Sequence, residues 1–218
     1  MSYEGPSRSD FANVRALNRE FLRVLKACPE AFELESQTRD RLVSLGRRQV
    51  DWLSAVPFLL SSVQEHDVSL WQRLVCDDPY RDLFQASTRQ SEDARNLAVT
   101  TAGFLWQLAK QNPYAVRLVS GAPPGWCELI TGTTYFELVS QVRCCTDLLV
   151  LRSSANAQFW SKLLDGGVRP ENDIRRAAQV AALQIHLTSR NVQVTEAWPA
   201  AACKARQPQL RVAEVADS

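Results

Sequence analysis

Apolar residues recur along this chain at helical spacing, and the widest such pattern lies near its middle. Between Ser91 and Gln111, the positions Leu97, Ala98, Ala102, Phe104, Leu105, Trp106, Leu108 and Ala109 cover roughly two-thirds of a helical circumference at about 100° per residue. A surface helix shows a narrower stripe, so the pattern predicts a helix running through the core. Ser91 is suited to cap it, and Glu92 and Asp93 place negative charge at the positive end of its dipole. Gly103 falls on the remaining polar strip, where it costs about 1 kcal/mol relative to Ala unless a neighbour needs the space. Asn112-Pro113 ends this helix and opens another, with Tyr114, Ala115, Leu118 and Val119 on one side and Gly121 as its C-terminal stop.

The same spacing recurs on both sides of this centre. Phe11, Val14, Phe21, Leu22 and Leu25 predict a helix from a cap at Asp10 to about Ala27. A second is expected from about Ser36 to Ala55, with Leu42, Val43, Leu45, Val50, Trp52 and Leu53 inward and a break or kink at Gly46. Phe58-Leu59-Leu60 reads as a further turn or short helix. Asp67 caps a segment holding Leu70, Trp71, Leu74 and Val75, and Asp77-Asp78-Pro79-Tyr80 stops and restarts the chain before a short helix with Leu83 and Phe84. A short helix around Trp126 to Ile130 follows the Gly121–Gly125 loop. Tyr135-Phe136-Glu137-Leu138-Val139 suits a strand by propensity. Phe136, Val139, Val142, Leu148 and Leu149 nevertheless share a helical face, and the segment 134–151 is read as helix. Asn156 caps a helix closed by Gly166-Gly167. The last helix opens at Pro170 or Asn172 and presents Ile174, Ala177, Ala178, Ala181, Ala182 and Ile185 as a small-residue packing face.

These elements make an all-α fold, a single-domain multi-helix bundle with a central buried helix. Residues 1–9 are expected to be disordered, 10–188 to form the helical domain, and 189–218 to be a largely disordered, flexible tail. Trp198, alone among alanine and polar residues there, is expected to fold back onto the domain, the alternative being that it docks on a partner.

Composition narrows the function classes. With 25 Lys plus Arg against 24 Asp plus Glu, the net charge of +1 gives no global reason to expect nucleic acid or an acidic membrane surface. No transmembrane segment is expected, because the longest apolar run, Ala55 to Leu60, is interrupted by Pro57. The first residues lack the basic-then-apolar pattern of a secretory signal, which points to a cytoplasmic location. The six cysteines form no C-x-x-C pair and there are two histidines, so no metal or other cofactor is expected, and the cysteines read as small buried hydrophobes. No catalytic residues are assigned. Phosphate-binding glycine loops and the G-x-S-x-G elbow are missing, and His186 reads as a core or boundary residue.

Two surfaces carry what functional signal there is. Arg15, Arg19, Arg23 and Lys26 line up beside the apolar face of the first helix, as a stripe that would suit nucleic acid, an acidic protein or a membrane surface. The simpler reading is a solvated face partly neutralised by acids such as Glu20, Glu30 and Asp40. A pocket is expected near Asn112, Tyr114, Arg117 and Trp126, where a helix break meets a proline-rich loop. The simpler reading there is that the two aromatics close the core.

The run Phe104-Leu-Trp-Gln-Leu-Ala-Lys-Gln-Asn-Pro-Tyr-Ala-Val-Arg-Leu-Val-Ser-Gly121, with Trp160-x-x-Leu163 and the Arg175-Arg176 helix, resembles an uncharacterised family of all-helical bacterial proteins. The resemblance spans mainly residues 90–187. It implies a bacterial origin and a helical fold, and carries no assigned activity or site residue. The leading expectation is therefore a helical protein-interaction or regulatory module whose partner is a protein, with a homo-oligomer also open. The alternatives are a regulatory domain binding a small ligand or nucleic acid, and an enzyme of unknown class.

Overall fold

The computed structural model describes residues 5–76, 91–145, 147–154 and 156–188. Among them are ten α-helices and one two-stranded ladder. The predicted features on 77–90 and 189–218, including Leu83, Phe84 and Trp198, lie outside the described residues.

Helix α1 (Arg8–Ala27) begins earlier than Asp10. Ser7 is its cap, and Asp10 closes the capping box by accepting from the Ser7 backbone N–H at 2.7 Å. Segment 36–55 is two helices, α2 (Ser36–Val43) and α3 (Arg47–Leu53), separated at Gly46, whose N–H donates to Gln49 Oε1 at 2.8 Å. Leu42, Leu45 and Leu53 are buried as expected, whereas Val43 is exposed. Phe58, Leu59 and Leu60 are fully buried but are not helical. They run as irregular chain into strand β1 (Ser61–Ser62). Asp67 caps α4 (Val68–Cys76), with Oδ1 accepting from the Leu70 N–H at 2.8 Å.

Helix α5 (Glu92–Gln111) is the buried centre, packing on α1, on α6 (Pro113–Ser120), on α7 (Pro124–Thr131) and most extensively on α8 (Tyr135–Cys144). Ser91 Oγ accepts from the Ala94 N–H at 3.3 Å, and Gly121 ends α6 at φ 70°, in the left-handed region that favours glycine. Gly103 is buried, not on a polar strip. An ideal Cβ there would lie 3.1 Å from Tyr135 Cε2, so the missing side chain lets the Tyr135 ring lie against α5.

Segment 134–151 is helix only as far as Cys144. Thr134 Oγ1 and Glu137 form a capping box, which favours helix over strand at Tyr135–Val139. The inward residues are Leu138 and Val142, so Phe136 faces outward instead of packing with Val142. Leu148 and Leu149 are buried in irregular chain leading to β2 (Val150–Leu151), which pairs antiparallel with β1. Helix α9 (Ala157–Asp165) is capped by Asn156, and α10 (Asn172–Thr188) packs against it. Of the small-residue face predicted for α10, Ala182 is buried, while Ile174 and Ala177 are exposed. His186 is buried, with its ring stacked on Phe58 at 5.1 Å.

The β1–β2 ladder surrounds a buried ion pair. Arg152 Nη1 donates to Glu65 Oε1 at 2.6 Å, and neither side chain reaches solvent. Arg152 Nε donates to the carbonyl oxygens of Leu59 at 2.6 Å and Ser61 at 3.1 Å. Its Nη2 donates to Ser61 O at 2.7 Å, and Nη1 also donates to the carbonyl of Ser120. Glu65 Oε2 accepts from Ser62 Oγ at 2.6 Å and from the Val63 N–H at 3.1 Å. Three non-glycine residues with positive φ flank this knot: Gln64 at 54°, Asp147 at 60° and Ser153 at 52°. Gln64 Nε2 donates to Asp147 O at 2.9 Å, which ties two of these turns together.

Candidate functional site

The basic stripe on α1 is largely taken up within the molecule. Arg19 pairs with Asp51 on α3 at 2.6 Å, and Arg23 pairs with Glu20 at 2.6 Å and with Asp93 on α5 at 3.0 Å. Hydrogen bonds that Arg23 donates to Glu20 and Asp93 hold its guanidinium more firmly protonated than usual. Lys26 Nζ donates to the carbonyl of Leu45 at 2.6 Å, a backbone group at the C-terminal side of α2. Arg15 alone of the four makes no ion pair or hydrogen bond among the described residues, and it is exposed. The stripe is thus mainly a set of ties between α1 and its neighbours. A cleft of about 300 Å³ between α1 and α5 includes Glu20 and Asp93, whose carboxylates are already engaged by Arg23.

The second expected surface is partly present. A pocket of about 270 Å³ opens between the end of α5, α6 and α7. Tyr114 and Arg117 line it, together with Pro113, Cys127 and Glu128. The other two predicted residues do not. Asn112 Oδ1 accepts from the Ala115 N–H at 3.1 Å and so caps α6. Trp126 lies wholly in the core, edge-on to Trp71 at 5.1 Å. The two sites differ because residue 126 lies in the first turn of α7 on its inward face, beside buried Cys127 and Ile130. Burial pushes the Cys127 thiol up to about 12, with the negative charges of Glu128 and Glu65 adding to the effect. Cys127 forms part of the pocket floor and is buried.

Sequence reasoning placed Phe136 in the core, and so missed the extension of this face. One turn back from Ala109 on α5, Trp106 donates through Nε1 to Thr133 O at 3.2 Å. Lys110 Nζ lies 5.3 Å above its ring. Tyr135 packs on Trp106 at 5.4 Å, and Phe136 follows at the start of α8. Tyr114, Tyr135 and Phe136 are 61%, 52% and 78% exposed. The result is an aromatic ledge beside a shallow pocket, held by α5 through Gly103. Arg117 on α6 and Glu128 on α7 stand at the pocket as exposed charges, and neither forms an ion pair among the described residues.

Among the described residues, no group of three or more His, Cys, Asp or Glu side chains is placed to hold a metal ion, and no helix is long and apolar enough to cross a membrane. No protein-family model, curated protein or solved structure matches the chain.

Proposed function

We propose that this chain is a protein-binding module that docks its partner on the face formed by the end of α5, α6, α7 and the first turn of α8. The observation that carries the reading is the exposure of Tyr114 at the pocket and of Tyr135 and Phe136 at the start of α8, in a protein whose other aromatic side chains are largely buried among the described residues. Contiguous exposed apolar area marks interaction sites, and tyrosine and arginine are over-represented among residues that dominate binding energy. A volume of about 270 Å³ falls just below the usual range of small-molecule pockets, which favours an inserted protein side chain over an enclosed ligand. The internal ties of Arg19, Arg23 and Lys26 weigh against nucleic acid on α1. A cytoplasmic location and a bacterial host belong to the same proposal, supported by the apolar pattern and by the family resemblance over 90–187.

The test is affinity capture from the native host, followed by titration of the purified partner. Three proteins are compared: the native chain, Tyr135→Ser/Phe136→Ser, and Arg15→Glu/Arg19→Glu. A partner that survives nuclease, binds the stripe variant normally and loses affinity for the ledge variant supports the reading. A partner lost with the stripe variant alone, or only in the presence of nuclease, overturns it.

A further inference from the structure

We propose that residues 189–218 return along α10 and seat Trp198 on an apolar face that this helix leaves uncovered. Helices α1 and α5, of 20 residues each, bury seven and nine residues, whereas α10, of 17 residues, buries only Ala182 and His186 among the described residues. The extensive packing of α10 is on α9. At about 100° per residue, Ala177, Val180, Leu183 and Leu187 fall in one sector of about 120°, roughly opposite Ala182. Val180 is 64% exposed in the middle of the helix and Leu187 is 37% exposed at its end. Ala177 is exposed and Leu183 half-buried. An amphipathic helix owes most of its stability to the packing of its apolar side, so a second apolar side calls for a second cover.

The chain itself supplies that cover. It leaves α10 at Thr188, next to Leu187, and Trp198 lies ten positions further on. Ten residues of extended chain reach about 33 Å. Helix α10 is about 25 Å long, so the indole can reach any point of the face. Val192 and Val194 alternate with polar residues on the way, and Trp198 is the one aromatic residue of 189–218. Arg176, exposed one turn before Val180, offers a guanidinium for the indole to stack on. Its neighbour Arg175 already makes such a contact with Trp52, at 4.9 Å from the ring. A tethered segment also acts at an effective concentration in the millimolar range, which a second copy or a separate protein must match to displace it. The ledge on α5–α8 takes no part in this contact.

The experiment is fluorine NMR on the full chain labelled with fluorotryptophan. The Trp198 signal is assigned by its absence from Trp198→Phe, and its exposure is read from broadening by a soluble gadolinium chelate. The test variants are Val180→Glu and Leu187→Gln. Both side chains are exposed and both replacements keep or raise helix propensity, so the fold is expected to hold, which circular dichroism checks. In the native chain Trp198 is expected to be shielded from the chelate at every protein concentration. Each substitution should remove that shielding. Val180→Glu should also lower the melting temperature of the native chain but not of Trp198→Ala, where the contact is already gone. A native Trp198 signal broadened as fully as free fluorotryptophan overturns the proposal. So does shielding that survives both substitutions, which seats the indole elsewhere, or shielding that disappears on dilution, which assigns the face to a second copy.

Discussion

Arg152 and Glu65 meet at 2.6 Å with both side chains fully buried, although 87 residues separate them in the chain. The pair joins the segment before β1, the turn after it, the end of α6 and the end of β2 through one guanidinium.

Breaking that pair should be the most damaging single polar change available in this fold. Arg152→Met leaves the Glu65 carboxylate buried without its counter-charge, and removes the guanidinium donors from the carbonyls of Leu59, Ser61 and Ser120. A loss of about 3–5 kcal/mol is expected, read as a lower urea midpoint with an unchanged slope. Glu65→Met should cost a similar amount, because it isolates the guanidinium. The double variant Arg152→Met/Glu65→Met should be less unstable than the sum of the two, since no buried charge remains. It should not recover native stability, because the hydrogen bonds from the guanidinium to the backbone carbonyls are still lost. Full additivity would show that the two charges do not act as a pair.

Several helix ends were legible in the sequence, and this ion pair was not, for a physical reason. A cap is a local event. Ser91, Asn112 and Asn156 each accept from a backbone N–H three residues onward, and Gly121 supplies its positive φ unaided. Arg152, by contrast, ends an apolar run and reads as a residue stepping out to solvent, and nothing within ten residues of it hints at Glu65. The pocket was half legible for a related reason. The break at Asn112-Pro113 is written in local chemistry, but which of Tyr114 and Trp126 turns inward depends on how α7 rolls against α4. For α8, Phe136 with Val142 and Leu138 with Val142 are both acceptable apolar faces, and the closer fit of Tyr135 on Gly103 accompanies the second.

Acid should destabilise the protein through three carboxylates held ionised by their hydrogen-bond partners. The Leu70 N–H holds the Asp67 carboxyl below its usual value, the Thr134 N–H does so for Glu137, and the Arg41 guanidinium for Asp165. A depressed folded-state pKa means that the native state binds fewer protons than the unfolded one. The associated stability is fully present above the unfolded values near pH 4, and is lost as pH falls through the lower folded values. Thermal melts from pH 6 down to pH 3 should show a falling midpoint, and Asp67→Asn should flatten the fall. A midpoint as steep in Asp67→Asn as in the native chain would remove that residue from the account.

Thiol reactivity should divide the cysteines by burial. Burial pushes the Cys127 thiol up to about 12, which disfavours its thiolate at pH 8, and the thiolate is the reactive form. Cys145 is buried and Cys144, its neighbour in sequence, is exposed. Iodoacetamide applied to the native protein at pH 8, followed by peptide mass spectrometry, should label Cys144 well before Cys127 or Cys145. Denaturant should abolish the difference. Rapid native labelling of Cys127 would show that the pocket opens down to its floor.

Gly103→Ala separates the ledge from the fold beneath it. Alanine gains roughly 1 kcal/mol of helix propensity in the middle of α5. Its Cβ would, however, stand 3.1 Å from Tyr135 Cε2 and 3.2 Å from the Tyr135 hydroxyl oxygen, closer than ordinary contact. Tyr135 is exposed and at the first position of α8, so the ring can swing outward at little expense to the core. The two effects oppose each other, and the net stability should stay within about 1 kcal/mol of the native chain. The tilted contact of Tyr135 with Trp106 should not survive, because the ring that makes it is the one displaced from α5. Binding to the ledge should then weaken while the melting temperature holds. A Tyr135→Ala background decides whether this chain of cause is right. Once the ring is gone, Gly103→Ala should have no further effect on binding and should show its stabilising propensity in full. Equal loss of binding from Gly103→Ala with and without Tyr135 would mean that the glycine acts on α5 itself and not through the aromatic.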